Sequence, residues 1–282
     1  MPRRERLIRM WIGLCLAFGA GAMVCADDEV DVAPTGAAAP GLAILTPAGV
    51  EILRDGVVSA IPQTAGYDAL AWDSGRERLV LAGQGGLHQV SLDGSVFGIL
   101  TIGWPLINAP DVSPAGDRLV FVGSRDGVGS KMHVMDAKGG DPRSLTEGYE
   151  PAWTADGTGI LFERDDELGA RLARYDLATG RVTPVHEDRA ATTGATLAPA
   201  TDDTGARIAY VADGHITVET RADGQVRTYD VGGHPTFSPD GTLLAYIRAA
   251  AEGASAVVVV DLATGDETVV RTVDAIDLVF VD

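Results

Sequence analysis

The sequence predicts an all-β protein, a six-bladed β-propeller built from four-stranded antiparallel blades. Three observations lead there. A unit of about forty residues recurs along the chain from residue 41 onward. Each unit alternates short apolar segments with Gly- or Asp-rich turns, the pattern of four short strands. The first unit lacks an opening strand, whereas the last is followed by one strand too many.

The clearest copies of the opening hairpin are APDVSPAGDRLVFV (109–122), EPAWTADGTGILFE (150–163) and HPTFSPDGTLLAYI (234–247). ALAWDSGRERLVLA (69–82) and TLAPATDDTGARIAYV (196–211) are looser copies, the latter longer by one residue. Third strands follow as KMHVMD (131–136), RLARYD (171–176) and VVVVDL (257–262), and fourth strands come after a Gly turn, as in GGDPRSLT (139–146). The first apolar residue of each second strand is Leu42, Leu79, Leu119, Ile160, Ile208 and Leu244, at spacings of 37, 40, 41, 48 and 36. That makes six units. In the first, residues 41–47, 49–56 and 57–64 read as strands two, three and four, and the tail 274–282 supplies strand one. Closure of this kind leaves no exposed edge between first and last blades.

The repeat resembles the TolB-type, WD40-like propeller family. The residues that carry the resemblance are His234-Pro235-Thr236-Phe237-Ser238-Pro239-Asp240-Gly241 and, later in a blade, His133-Val134-Met135-Asp136-Ala137-Lys138-Gly139-Gly140. It covers 41–282, and a counterpart of the α/β domain that precedes the propeller in this family is not expected. WD40 repeats proper end their third strand in Trp-Asp, whereas Trp72-Asp73 ends a first strand. The resemblance implies the fold and an interaction role.

Ahead of the repeats the sequence reads as an address. Arg3, Arg4, Arg6 and Arg9 precede an uncharged run of 17 residues from Met10 to Ala26. Its Val24-Cys25-Ala26 end predicts a signal peptide over 1–26, cut after Ala26, followed by a flexible acidic linker over 27–40. The run is short for a spanning helix, so retention as an anchor is the lesser expectation and a periplasmic or secreted protein the main one.

Lys+Arg number 22 and Asp+Glu 40, a net charge of −18. Such a surface repels nucleic acid and anionic lipid, so neither is expected as a partner. The two cysteines, Cys15 and Cys25, both fall within the leader, which excludes a disulfide framework. A monomer with a protein or peptide partner is expected.

Chain direction divides the propeller into two faces. One carries the short, uniform turns between strands one and two and between strands three and four, whose Asp and Gly residues read as turn chemistry rather than calcium ligands. The other carries the longer, variable connections 123–130, 164–170 and 248–254, where recognition is expected. First strands begin on this second face. The residues before them, Asp68, Asn108, Tyr149, Glu150, Gly233, His234 and Asp274, are expected to ring the channel mouth as a binding surface. Trp104, Arg125, Asp126, Arg164, Asp165, Asp166, Glu167 and Arg248 are candidate contacts on the variable loops.

No catalytic, metal or cofactor residue is assigned. The five histidines, His88, His133, His186, His215 and His234, fall in separate units without metal-ligand spacing. There is no G-x-S-x-G elbow, P-loop or dinucleotide fingerprint. The expected function is non-catalytic binding of a protein, peptide or envelope component. Two alternatives stay open: a hydrolase or lyase using Asp, Glu and His at the channel, with or without a metal, and a sugar- or cell-wall-binding module stacking on Tyr149 and Trp104. Trp72, Trp153 and Phe237, with Val112 and Leu278 at the same position of their units, are expected to pack between blades.

Overall fold

The structure, a computed structural model, describes residues 40–127, 129–167, 169–186, 197–250 and 254–282. The predicted signal peptide and all but the last residue of the predicted linker lie outside the described residues. Among the described residues are 24 strands in six antiparallel sheets of four.

Blade one is β1 (Gly41–Thr46), β2 (Gly49–Arg54) and β3 (Val57–Ala60), completed by the last strand, β24 (Asp277–Val281). β24 lies antiparallel to β1 with Leu42 opposite Phe280 and Ile44 opposite Leu278. The ring therefore closes as the sequence predicts. Blades two to five open with β4 (Tyr67–Asp73), β8 (Leu106–Val112), β12 (Tyr149–Trp153) and β16 (Ala200–Thr201), and blade six with β20 (Gly233–Phe237). Their second strands are β5 (Arg78–Gly83), β9 (Arg118–Ser124), β13 (Gly159–Asp166), β17 (Arg207–Ala212) and β21 (Leu243–Ala249).

Near-continuous apolar runs in the second strands, such as Leu79–Ala82 and Leu119–Val122, bury both sheet faces between neighbouring blades. Leu79, Leu119, Ile160 and Leu244 are fully buried, and Leu42 and Ile208 nearly so. One register detail corrects the sequence reading. The residue opposite the marker is Trp72, Val112, Trp153, Thr201 and Phe237 in blades two to six, and in blade one it is Phe280, not Leu278. β24 pairs with β1 in one unbroken ladder, without the one-residue bulge that four of the other first strands carry, and it is this ladder that puts Phe280 opposite Leu42.

The first turns of the blades are held by their own side chains. Ser113, Thr154, Asp202 and Ser238 each accept a backbone N–H across the first turn of their blade through the side chain, at 2.9–3.2 Å. Asp156 and Asp240 accept the hydroxyls of Thr154 and Ser238, both at 2.6 Å, and the N–H of Thr158 and Thr242, both at 3.0 Å, and these hydrogen bonds, the hydroxyls first, hold both carboxyls below the usual range. Arginines then join blade to blade: Arg76 donates to Gly116 O at 2.7 Å, Arg118 to Gly157 O at 3.3 Å, and Arg207 to Gly241 O. Arg118 also lies 4.8 Å from the Trp153 ring centre and Arg207 5.6 Å from that of Phe237.

Candidate functional site

In blades three to six the first strand is entered through an X-Pro step: Ala109-Pro110, Glu150-Pro151, Ala198-Pro199 and His234-Pro235. In each, X adopts left-handed backbone, with φ of 47°, 47°, 37° and 52°. Such a conformation is unfavourable for a residue with a Cβ and recurs where a bulge must re-aim a side chain. Proline suits the position because a bulge leaves one ladder bond unmade and proline has no N–H to strand. Three of the ladders slip here, between Asn108 and Asp111, Tyr149 and Ala152, and Gly233 and Thr236.

Counting back three residues from the position opposite the marker gives Ala69, Ala109, Glu150, Ala198, His234 and Asp277, one per blade. All six line a single cavity of about 500 Å³ that follows the first strands of every blade. Its mouth carries Asp68, Asn108, Glu150, His234 and Asp277, and its turn-face end Asp203 and Asp282. Ala and Pro make up much of the wall between. Six carboxylates line the cavity (Asp68, Asp111, Glu150, Asp203, Asp277 and Asp282) with His234 the one basic group in the lining and neither Lys nor Arg.

Of the expected mouth residues, Asp68, Asn108, Glu150 and His234 line this cavity, while Tyr149 and Asp274 do not. Tyr149 precedes the left-handed residue and is 40% exposed beside the mouth. Asp274 is exposed in the link to β24; Ala275 and Ile276, bonded to Val273 O and Leu45 O, turn the chain inward, so that Asp277 takes the place in the ring.

Asp277 anchors the mouth. Its Oδ2 accepts Leu70 N of blade two at 2.9 Å and its Oδ1 accepts Leu278 N at 2.9 Å. The same Oδ1 lies 3.2 Å from His234 Nδ1 of blade six. Burial pulls the imidazole's pKa down, but the hydrogen bond to Asp277 and the charges of Asp277 and Glu150 outweigh it and hold it up at about 9. His234 is therefore an imidazolium at neutral pH. Glu150 is pushed up by burial and by the charges of Asp277 and Glu163, against the pull of His234. Deeper in, Asp111 accepts Trp153 N at 2.6 Å and Val112 N at 2.9 Å, yet burial raises its pKa to about 7. At the turn-face end, burial and the charges of Asp202 and Asp282 raise Asp203.

Glu163 was not singled out by the sequence reading, although a signal existed. It occupies the second-strand place held by Leu45, Ala82, Val122, Val211 and Ile247 in the other blades. It is 8% exposed, accepts Leu197 N at 2.7 Å and is raised by burial, so it supports the wall behind Glu150 and fixes the entry to blade five.

The loop candidates fare differently. Trp104 is 2% exposed, so the expectation of a stacking platform is corrected. Its ring is closed in by Phe121 and His133, at 5.1 and 4.8 Å, and covered by Arg125 at 4.7 Å, while its Nε1 donates to Thr101 at 3.1 Å. Apolar burial of the indole wins over display. Asp126 accepts Ser124 Oγ at 2.6 Å. The expected loop over 164–170 is a β-hairpin: Arg164, Asp165 and Asp166 belong to β13 and pair with Arg171, Ala170 and Gly169 of β14 (Gly169–Asp176), with Glu167 at the turn. Arg164, Asp165 and Glu167 are exposed. Arg248 lies in β21 and is held by Asp230 at 2.9 Å and Glu267 at 3.4 Å. None of these eight residues lines the cavity. Among the described residues no three His, Cys, Asp or Glu stand together so as to hold a metal ion.

No protein-family model matches the chain, and no curated protein sequence matches it. Solved structures do. TolB from Acinetobacter baumannii is similar at a TM-score of 0.71 and 16% identity, over 87% of this chain and 67% of that one. A propeller in a nidogen/laminin complex is similar at 0.67 and 12% identity, over 86% of this chain and 99% of that one. A puromycin-hydrolyzing peptidase of Mycobacterium tuberculosis is similar at 0.57 and 18%, over 80% of this chain and 41% of that one. The fold of this chain is the TolB-type six-bladed β-propeller, closed by its last strand beside its first.

Proposed function

We propose that this chain is an exported TolB-like propeller acting as a non-catalytic binding module, which takes a protein or peptide partner at its channel mouth and loop face in the periplasm or outside the cell. The observation that carries the reading is the contrast between the faces. On the turn face, Ser113, Thr154 and Ser238 are engaged in their own turns and Arg76 bonds to the neighbouring blade. On the loop face, strained X-Pro bulges aim Glu150 and His234 into an open cavity of about 500 Å³, within the range of ligand sites. The predicted leader supports export, and the likeness to TolB and to a propeller in a nidogen/laminin complex supports protein recognition. Burial of Trp104 takes away one of the two platforms of the sugar-binding alternative.

The test is capture of partners from native envelope extract by the immobilised protein. A variant shortened over 165–169 and the pair Glu150→Ala with His234→Ala serve as comparisons. Partners recovered by the parent protein and depleted at least tenfold by either variant support the reading; equal recovery by all three overturns it. A second reading, hydrolase or lyase chemistry at the mouth, draws on the His234–Asp277 pair beside a raised Glu150, an arrangement able to hold and pass a proton.

A further inference from the structure

The cavity lining poses a chemical question that the binding reading leaves open: what does an acidic channel with small apolar walls receive? Its polar groups are overwhelmingly one sign. Six carboxylates face it with no Lys or Arg among the lining residues, and the chain as a whole carries −18. A low-dielectric cleft lined by one charge concentrates its field at the mouth and draws in the opposite charge. One cation is already seated there. His234 lies against Asp277 at 3.2 Å and its charge also acts on Glu150, so one imidazolium serves two mouth carboxylates. The wall between mouth and interior is Ala69, Ala71, Ala109, Ala152, Pro151 and Pro235. These small side chains leave room for an aliphatic stem, the complement of a side chain that buries methylenes and keeps a charged head at a polar end.

Resting on the binding reading above, we infer that the channel mouth receives the ammonium or guanidinium head of a Lys or Arg side chain in an extended peptide segment, with Glu150 as its principal carboxylate and Asp68 as its second. A divalent cation is a poorer fit. It needs six or more oxygens gathered at about 2.0–2.6 Å, and among the described residues no three metal-ligating side chains come together. An anionic ligand would meet repulsion from the ionised carboxylates of the lining.

The experiment uses the full chain and three fluorescein-labelled pentapeptides that differ only at the central position: acetyl-Gly-Ser-Lys-Ser-Gly-amide and its Gln and Glu counterparts. Fluorescence anisotropy is read at low ionic strength against the parent protein, Glu150→Gln, Asp68→Asn and a charge-matched control, Asp141→Asn, at an exposed residue of the β10–β11 turn in blade three (β10, Lys131–Asp136; β11, Arg143–Glu147). The Lys peptide is expected to bind at least tenfold more tightly than the Gln peptide and the Glu peptide weakest. Glu150→Gln is expected to erase most of that preference, Asp68→Asn part of it, and Asp141→Asn none. Circular dichroism melts check that each variant is folded. Equal binding of Lys and Gln peptides overturns the cation assignment while leaving a binding mouth intact. Loss of preference in Asp141→Asn to the same degree as in Glu150→Gln overturns it as attraction to the general charge of the protein. Partner capture that survives Glu150→Ala with His234→Ala removes the mouth reading itself, so the two failures are distinguishable.

Discussion

Phe280 is the strongest handle on ring closure. It is 4% exposed, lies opposite Leu42 across the β24–β1 ladder, and packs with Leu42, Ile44, Ala245, Val257 and Leu278 at the seam between blades one and six. Phe280→Ala removes the transfer free energy of a buried aromatic and leaves a cavity that the flanking strands can only partly fill. Changes of this kind are worth about 3–5 kcal/mol. Against a total stability of roughly 5–15 kcal/mol, that is a large share. At about 2–4 °C per kcal/mol for a chain of this size, the melting temperature falls by roughly 6–20 °C. The assay is urea unfolding followed by fluorescence of the four tryptophans, with thermal melts in parallel. Val269→Ala, on the outer strand β23 (Glu267–Val273) at 48% exposure, serves as the comparison and is expected to change stability by about 0.5 kcal/mol or less. A loss below about 1.5 kcal/mol for Phe280→Ala, or equal losses for the two variants, would refute the closure argument.

Other expectations follow from the same packing and charges. His234 has its pKa raised from 6.5 to about 9, so the stability it confers is complete below pH 6.5 and disappears as pH rises through about 9. Because the side chain is 41% exposed, solvent screening limits that contribution to about 1 kcal/mol. Proton NMR of the imidazole across pH 6–10 checks it; a midpoint near 6.5 contradicts the pairing with Asp277. Glu150 has its pKa raised, so its charge detracts from stability once pH passes above 4.5, and Glu150→Gln is expected to raise the melting temperature at pH 8 more than at pH 4. Glu163→Ala strands the N–H of Leu197 and is expected to cost about 1–3 kcal/mol, with Glu163→Gln restoring most of it in the same unfolding assay. Arg118→Ala loses contact with the Trp153 ring and the Gly157 carbonyl, a loss of about 1 kcal/mol read with a shift in tryptophan emission.

The blade plan was legible because it is written in local chemistry. Apolar alternation marks strands, Gly and Asp mark their turns, and a tail reading AIDLVFVD has nowhere to pair except beside Leu42–Leu45. Turn roles for Asp117, Asp156 and Asp240 are legible for the same reason. The site was legible in part. Glu150 and His234 stand before proline in matched repeats, which points to one level of the channel, but the register of β24 is set by its pairing with β1, which places Asp277 where the sequence suggests Asp274. Trp104 was misjudged because its partners, Phe121, His133 and Arg125, come from the neighbouring blade. Residues 164–170 read as a loop in the sequence because Arg164, Asp165 and Asp166 carry little strand propensity, whereas in the fold they pair with Arg171, Ala170 and Gly169. Glu163 shows what a unit-by-unit comparison of buried positions would have found: one carboxylate where five other blades place an aliphatic residue.

Site-specific photocrosslinking tests the account most directly. A photoreactive residue at position 108, on the cavity mouth, and another at position 141, on the turn face, are irradiated separately in native envelope extract. Recognition at the mouth predicts a discrete protein adduct from position 108 and none from position 141. Adducts from both positions alike, or from position 141 alone, would contradict it.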